Sequence, residues 1–356
     1  MKTWQKLRAE PGLWQRYFMR EQVLTAIRRF FLDRDFHEVE TPLLTGSLPP
    51  ESYLDIFATT LNWNDKKQID AFLTTSPEPF LKKLLVAGIG NCFALTKSFR
   101  NSEGVSKTHN PEFTILEWYR SGADYYDIMR DCEELLIFIN TYLQRSQDKN
   151  AHRVQSTKVS YQGKTVDLAR SWERVSIVDA FKRYAHVDLM DCLSRETLMP
   201  VTQKKGYRVT ALNTWEEMFH RIFLNEIEPQ LGRGKPTIIF DYPAELAALS
   251  KKKTDDPRFA ERFEFYIEGL ELGDAYSELT DWKEQLIRFK AEYQKRQALG
   301  KVMHPIDMDF ISALKAGLPQ TGGIAVGVDR LIMLFADVGD IAQTMFFPAT
   351  DLFEAP

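Results

Sequence analysis

Two apolar segments joined by a polar loop, FRNSEGVSKTHNPEFTILEWY over residues 99–119, carry the first side chains that could do chemistry. Arg100 ends the first segment and His109 begins the return. Even spacing along a strand places three later side chains on one face, namely Phe113, Glu117 and Tyr119. Such a face suits a site that stacks a planar base at one end and binds an ammonium group at the other. The periodicity alone also fits a hairpin whose glutamate and tyrosine face water.

A second group is acidic. Glu264 and Glu271 flank Ile267-Glu268-Gly269, which can form a tight turn, so we expect the two carboxylates to be direct cross-strand neighbours. Adjacent carboxylates repel each other unless a cation lies between them, and Mg²⁺ carrying nucleotide phosphates is the usual solution. An edge hairpin with solvated acids is the alternative. Further along, three side chains alternate onto one face and could bind a cationic substrate: Asp274, Tyr276 and Glu278.

A glycine-rich segment, GGIAVGVDR over residues 322–330, forms the third group. Glycine in a strand lets a ligand or another backbone approach closely. Arg330 begins the following helix, where its guanidinium could reach a terminal phosphate and Asp329 could orient it. A solvated arginine at this point is disfavoured, because the helix dipole favours acids there.

The elements that must position these residues follow an α+β order, with antiparallel strands in blocks rather than regular βαβ alternation. Hydrophobic periodicity and capping residues predict helices over residues 14–34, 77–88, 125–144, 281–300 and 307–316. Strands are predicted within 36–42, 53–60, 71–75, 91–99, 112–120, 236–243 and 322–327, and 262–279 reads as a hairpin plus a third strand segment. Residues 145–235 alternate helical runs with polar breaks and are predicted to be an insertion or helical subdomain.

Composition excludes several classes of protein. The chain has 356 residues, is 44% hydrophobic and has a net charge of −4, which indicates a folded chain and gives no electrostatic case for coating nucleic acid. No apolar run approaches membrane-spanning length and the N-terminus is polar, so we expect a cytoplasmic protein with no membrane partner. Three scattered cysteines and the lack of an HExxH pair argue against a zinc hydrolase. Neither common phosphate-binding glycine motif is present, so a nucleotide would bind by another device.

Together these segments resemble the catalytic domain of class II aminoacyl-tRNA synthetases, within the lysyl branch. VETPLL at 39–44 is similar to motif 1 of that family, 99–119 to motif 2, and GIAVGVDRLIML at 323–334 to motif 3. TSPEPFLKKLLVAG and ELGDAYSEL are similar to lysyl-specific stretches. The resemblance covers most of 14–145 and 236–348, and residues 145–235 match only loosely. It implies one catalytic domain over 1–356, with an antiparallel sheet flanked by helices and a homodimer formed through motif 1.

The resemblance also implies ATP and Mg²⁺ as cofactors and assigns residues to them. Arg100 would contact the α-phosphate and the amino-acid carboxylate, which makes it catalytic together with Arg330, and Phe113 would stack on adenine. This chain has Ser102 where the family has glutamate, and Glu103 is expected to take that role at ATP. The remaining contacts would be His109 and Arg330 at the outer phosphates, and Glu264 and Glu271 at the metal.

For the amino acid, the resemblance implies a pocket that matches ammonium groups with carboxylates. Its lining would be Glu78, Glu117, Tyr119, Tyr276 and Glu278, with Asp274 and Ala325 beside them. Asp274 replaces an asparagine of the family, so its charge would repel the substrate carboxylate unless it is protonated or meets an amine.

The acceptor of the activated amino acid is the open question. Only about a dozen residues precede the first catalytic helix, far fewer than the ~50 that an anticodon-binding OB-fold domain would need. Shortened lysyl-type chains resemble the ligases that transfer lysine or β-lysine to a lysine of elongation factor P. Ala325 fits that group, since lysyl-tRNA synthetases have glycine there. The alternatives are a stand-alone enzyme that charges a tRNA or a small molecule, and an inactive paralogue that binds amino acid or tRNA.

Overall fold

A broad, largely antiparallel sheet carries most of the residues named above. The computed structural model describes residues 1–64, 66–101, 104–147 and 156–353. The predicted fold class is confirmed, since helices flank this sheet on both faces. None of the helices in those described ranges combines the length and the apolar character needed to cross a membrane.

The helices and strands follow the predicted elements closely in most places. The helices are α1 (Thr3–Ala9), α2 (Trp14–Leu32), α3 (Glu78–Val86), α4 (Tyr125–Gln147), α5 (Ile177–Ala180), α6 (Arg195–Lys204), α7 (Trp215–Ile222), α8 (Trp282–Ala298), α9 (Met308–Gly317), α10 (Val328–Phe335) and α11 (Ala349–Leu352). The strands are β1 (His37–Glu38), β2 (Leu44–Thr45), β3 (Ala58–Asn64), β4 (Lys67–Leu73), β5 (Cys92–Phe99), β6 (Glu112–Ser121), β7 (Lys158–Tyr161), β8 (Lys164–Asp167), β9 (Glu173–Ser176), β10 (Thr237–Phe240), β11 (Arg262–Ile267), β12 (Leu270–Ser277) and β13 (Thr321–Gly327).

The main sheet has the strand order β1-β5-β6-β13-β12-β11-β10-β9. Its two outermost pairs are parallel and the inner pairs are antiparallel. The segments similar to motifs 2 and 3 therefore contribute neighbouring strands, with the glycine-rich β13 between β6 and β12, whereas residues 39–44 follow β1 and end in β2 of a smaller sheet. A smaller sheet, β2-β4-β3, and the β7-β8 hairpin lie outside this order.

Alternation along the strands separates an apolar core from a polar face. Leu116 and Trp118 of β6 are buried against α2 and α4, in a core that includes Phe31 and Ile128. The intervening side chains point to the opposite face, which α3, α8 and α9 cover at one end through Leu81, Phe289 and Phe310. One strand thus contributes to both the core and the polar face.

Local signals explain where the elements that carry the site begin and turn. Ser76 Oγ accepts the backbone N–H of Glu78 at 3.0 Å, at the start of α3. The turn between β11 and β12 has positive φ at both Glu268 (49°) and Gly269 (75°), the type I′ geometry that matches strand twist. The tight turn predicted there is confirmed.

Three predicted segments differ from the structure. The strand predicted at 53–60 lies later, at Ala58–Asn64, because the segment before it runs as an irregular loop. Residues 262–279 form only the two strands of a hairpin, since β12 continues unbroken to Ser277. Within 145–235 the structure contains strands as well as helices, and β9 pairs with β10 in the main sheet.

The described residues within 145–235 pack in two different hydrophobic cores. Side chains of 159–172, such as Val166 and Trp172, pack in the main core. From Val175 onward the residues pack in a second core around Phe181 and Phe219, which also includes Tyr242 and Tyr266. The second core therefore begins at Val175, and it contacts the acidic hairpin through Tyr266.

Candidate active site

Two rows of side chains cross the polar face of the sheet. Strand register aligns Glu117 of β6 with Ala325 of β13 and Asp274 of β12, and the last of these lies opposite Glu264 of β11. The neighbouring row runs through Tyr119, Gly323, Tyr276 and Arg262. The sheet therefore brings together acids and phenols from strands more than 200 residues apart in sequence.

Side chains of both rows lie next to side chains of α3, in a cluster that we call the amine pocket. It is defined as Glu78, Lys82, Glu117, Tyr119 and Glu278. The carboxylate of Glu117 accepts hydrogen bonds from the Ser76 hydroxyl at 2.6 Å and from the Tyr119 hydroxyl at 3.1 Å. Lys82 makes ion pairs with both Glu78 and Glu278. The solvated hairpin, the alternative reading of this face, is excluded because Glu117 and Tyr119 are buried.

Burial dominates the acid–base behaviour of this pocket. Desolvation, and after it the negative charge of Glu78, raise the pKa of Glu117 to about 8, although hydrogen bonds from Ser76 and Tyr119 oppose the shift. Burial likewise raises the pKa of Glu278, against the ammonium of Lys82. A bound ammonium group would favour the ionised form of both acids, so the pocket is matched to a cation.

Arg262 neutralises the acids on the neighbouring strand. Its guanidinium donates to Asp274 at 2.9 and 3.1 Å and to Glu264 Oε1 at 2.5 Å. Tyr276 donates to Asp274 at 2.6 Å, and the ring of Tyr242 lies 4.5 Å from the guanidinium carbon. The charge of Asp274 is therefore already paired within the protein, which removes the repulsion expected from the sequence.

At the other end of the face, a second set of cationic side chains converges. Arg330 Nη2 lies 2.8 Å from His109 Nε2, and Nη1 donates to the backbone oxygen of Glu271 at 3.0 Å. Because a guanidinium only donates, His109 Nε2 accepts, and its Nδ1–H donates to the hydroxyl of Ser106 or Thr108. The guanidinium carbon of Arg100 lies 5.3 Å from the centre of the Phe113 ring. One guanidinium thus lies beside an aromatic ring and another beside Glu271, and such groups can bind the phosphates of a nucleotide.

Asp329 does not orient Arg330, contrary to the expectation from the sequence. Its carboxylate pairs with Arg20 of α2 at 2.5 Å and accepts the backbone N–H of Thr114 at 2.6 Å. Arg20 also donates to the Thr114 hydroxyl at 2.6 Å. Asp329 therefore ties the first long helix to β6 and α10, and it acts on the site only through these elements.

The acidic hairpin pairs differently from the prediction. Glu271 lies opposite Tyr266, and a bulge between Phe265 and Tyr266 then shifts the register so that Glu264 lies opposite Asp274. Glu264 and Glu271 are near enough to repel each other, and that repulsion adds to burial in raising the pKa of Glu264. They are not direct cross-strand neighbours, because the turn at Glu268-Gly269 already pairs Glu271 with Tyr266, and the bulge moves the partner of Glu264 from Gly273 to Asp274.

The fit of these two acids to Mg²⁺ differs. Glu271 has an exposed carboxylate whose nearest cationic atom, Arg330 Nη1, is 3.5 Å away, so its oxygens can serve as ligands. Glu264 accepts hydrogen bonds from Arg262, Tyr242 and Tyr266, which leaves it little free acceptor capacity beyond Oε1. Over the described ranges no group of three or more His, Cys, Asp or Glu side chains is arranged to hold a metal, so phosphate oxygens would have to complete the coordination.

Several residues of the site carry signals that sequence reasoning missed. Lys82 follows Glu78 by one helical turn, and Arg262 precedes Glu264 by two residues on the same strand face, so both spacings indicate ion pairs. Glu228 lies near Glu271, and burial raises its pKa to about 7 with Glu271 adding to the shift. Glu103 lies outside the described residues, so its predicted role stays a prediction.

The chain that carries this site is similar in sequence to known proteins. The family model described as tRNA synthetases class II (D, K and N) matches residues 3–351. Among curated proteins, the chain is 34% identical over 340 residues to the lysine--tRNA ligase of Pelotomaculum thermopropionicum and 36% identical over 339 residues to that of Thermoanaerobacter pseudethanolicus. Each match covers 95% of this chain and 64% of the relative, so the chain spans somewhat less than two thirds of their length.

Proposed function

Since the chain belongs to the class II tRNA synthetases of the D, K and N group, we propose that it uses ATP to activate lysine or β-lysine as an aminoacyl-adenylate. We further propose that it transfers the aminoacyl group to a lysine of elongation factor P, whose neutral amine attacks the carbonyl carbon, forms an amide and displaces AMP. The observation that carries the activation step is the layout of one sheet face, with guanidinium groups and an aromatic ring at one end and a buried acidic pocket at the other.

The proposed chemistry requires no protein nucleophile. A carboxylate oxygen of the amino acid attacks the α-phosphorus of ATP and forms a mixed anhydride, while the bond to the bridging oxygen breaks and pyrophosphate leaves with the electron pair. Arg100, next to Phe113, would stabilise charge on the α-phosphate with adenine stacked on the ring. Arg330 and His109 would hold the departing phosphates. Positioning and charge stabilisation supply the acceleration.

When bound, Mg²⁺ would neutralise charge on the outer phosphates. Glu271 would be its main protein ligand, and Glu264 would support it from the neighbouring strand. The partial engagement of Glu264 by protein donors supports an orienting role for that acid. Glu264 also fixes the tyrosines of the second core beside the site, which links the helical subdomain to the nucleotide end.

The amine pocket supports the choice of a lysine-type substrate. Glu78, Glu117 and Glu278 outnumber the single cation, Lys82, so the pocket has room for positive charge. Burial makes each ion pair formed there stronger than it would be in water. An amino acid with an additional ammonium group gains from this arrangement, whereas a neutral side chain leaves buried acids without partners.

For the acceptor, Ala325 supports elongation factor P. Its methyl group lies on the pocket floor, in the row between Glu117 and Asp274. A side chain at this point fills space that a glycine would leave open, and this reshaping is compatible with the displaced amino group of a β-amino acid. The similarity to lysine--tRNA ligases favours a second candidate, the charging of a tRNA.

Pyrophosphate exchange tests the activation step directly. We expect exchange with lysine or β-lysine and none with neutral amino acids, and we expect Arg100→Ala to abolish it. Arg258→Ala, which removes a surface arginine paired with Asp256, is the matched control and should leave exchange unchanged. Complete lack of exchange with any of the twenty amino acids or β-lysine would instead identify an inactive paralogue.

The acceptor is decided by a second experiment. The enzyme is incubated with ATP and each lysine isomer, in one arm with elongation factor P and in another with bulk tRNA. A mass gain on the factor supports the first proposal. Acid-labile aminoacylation of tRNA with no gain on the factor would replace it with the second. The proposed homodimer through residues 39–44 is measured separately, by the mass of the protein in solution.

A further inference from the structure

One buried ammonium group has no assigned role in the proposed reaction. Lys82 is only 1% exposed, and its side chain lies among the acids of the amine pocket. It pairs with Glu78 one helical turn earlier and with Glu278 beyond the end of β12. The rings of Tyr119 and Phe310 each have their centres 6.0 Å from Nζ. A charged group this deep is costly unless it stabilises other charges.

Glu278 is arranged to keep one oxygen free. Its Oε2 faces Lys82, whereas Oε1 is buried and has no hydrogen-bond partner among the residues that the structure describes. A Cβ added at Gly323 would collide with this oxygen and with the ring of Tyr119. The glycine therefore lets Oε1 and the Tyr119 ring lie directly against β13, and Oε1 is a buried acceptor that a donor from a ligand would satisfy.

The charges around Lys82 show what its removal would change. Glu78 of α3, Glu278, and Glu117 with Tyr119 of β6 surround it, and Asp274 adds a more distant negative charge to Glu278. From α9 only Phe310 approaches, since Asp307 and Asp309 pair with Lys83. Burial drives the acids towards their neutral forms, and the ammonium of Lys82 opposes that shift in Glu278 and in Glu117.

We propose that Lys82 is a positioning residue of the amine pocket: its ammonium pairs with Glu78 and Glu278, opposes the neutralisation of Glu278 by burial, and directs the free oxygen of Glu278 towards the ammonium group of the substrate. This inference rests on the proposed activation of a lysine-type amino acid and adds a requirement for a resident cation. Without that cation, nothing in the pocket would oppose the effect of burial on Glu278, whose pKa would rise further, and a neutral acid binds a substrate ammonium poorly.

The first test compares Lys82→Met with Lys82→Arg and with Lys83→Met. The last is the matched control, because it removes the adjacent lysine, whose partners lie outside the pocket. We measure L-lysine binding by calorimetry and lysine-dependent pyrophosphate exchange between pH 6 and pH 9. Lys82→Met should lose about 10- to 100-fold in both at pH 7, and the loss should shrink towards pH 9 as the acids ionise. Lys82→Arg should keep the wild-type pH profile.

A purely structural role predicts a different pattern, namely a loss that is equal at every pH, and that result would overturn the proposal. If Lys82→Met does not fold, Lys82→Gln replaces it in the same measurements, with the same expected results. Should the wild-type protein neither bind lysine nor catalyse exchange, it is the proposed function that fails.

A second measurement, thermal unfolding, tests the charge role without any substrate. Carboxyl groups whose folded pKa is raised lose their stabilising contribution as pH rises through that value. The difference in unfolding midpoint between wild type and Lys82→Met should therefore widen from pH 6 to pH 9, whereas that of Lys83→Met should stay constant. A constant difference for Lys82→Met would refute the charge role, whatever the reaction turns out to be.

Discussion

Replacement of Asp274 by asparagine separates two accounts of the substrate pocket. From the sequence, Asp274 introduces a charge near the carboxylate of the substrate, so its removal would improve lysine activation. In the structure, Asp274 accepts two hydrogen bonds from Arg262 and one from Tyr276. Asparagine keeps one carbonyl acceptor, so at least one charged hydrogen bond is lost, at a cost of about 1.5–3 kcal/mol. The cost stays below that of a fully broken buried pair, about 3–5 kcal/mol, because Glu264 still pairs with Arg262.

We therefore expect Asp274→Asn to lower the unfolding midpoint by about 2–4 °C and to reduce kcat/KM for lysine in pyrophosphate exchange about tenfold. Thermal unfolding and exchange at pH 7 measure the two effects. Asp256→Asn is the matched control: Asp256 forms the same two-pronged contact with Arg258, but Arg258 is half exposed, so no measurable change is expected. A variant with unchanged stability and faster lysine activation would refute the ion-pair account and restore simple repulsion.

Three further predictions concern single residues of the site. Burial raises the pKa of Glu117 to about 8, above its ordinary value of 4.5, so its contribution to stability is present below pH ~4.5 and is lost as pH rises through about 8. In urea unfolding from pH 5 to pH 8, the free energy of unfolding should therefore fall more steeply for wild type than for Glu117→Gln. Parallel curves for the two proteins would contradict this. Arg330→Gln should lower kcat/KM for ATP about 10²–10³-fold in exchange assays, and an unchanged kcat/KM for ATP would argue against phosphate contact. Ala325→Gly should shift the ratio of exchange rates from β-lysine towards lysine, and an unaltered ratio would exclude Ala325 from isomer selection.

Features with a local cause were predictable from the sequence. Even spacing predicted that Glu117 and Tyr119 share a face, and the register of β6 shows both on the polar side. The glycine-containing turn at 267–269 predicted the acidic hairpin, because only a few turns suit twisted antiparallel strands. The helix starting at Ser76-Pro77-Glu78 was predictable for the same reason, since capping depends on near neighbours.

Features that depend on contacts between distant parts of the chain were not predictable from the sequence. Arg20 and Asp329 are 309 residues apart, and nothing near either residue indicates the pairing. The helical subdomain was marked by weak patterning alone, so the strand β9 that joins it to the main sheet went unpredicted. Such partners are chosen by packing of whole elements, which no short window of sequence contains.

What the sequence determined by itself was the set of chemical groups and the strand face on which each one lies, because side-chain alternation and turn preference act over a few residues. What only the tertiary structure decided was which charges meet. The bulge after Phe265 placed Glu264 opposite Asp274, with Arg262 bridging them. The packing of α3 against the sheet buried Lys82 between Glu78 and Glu278. Electrostatic energies depend on distance and burial, and both are fixed only when the strands and helices have packed together.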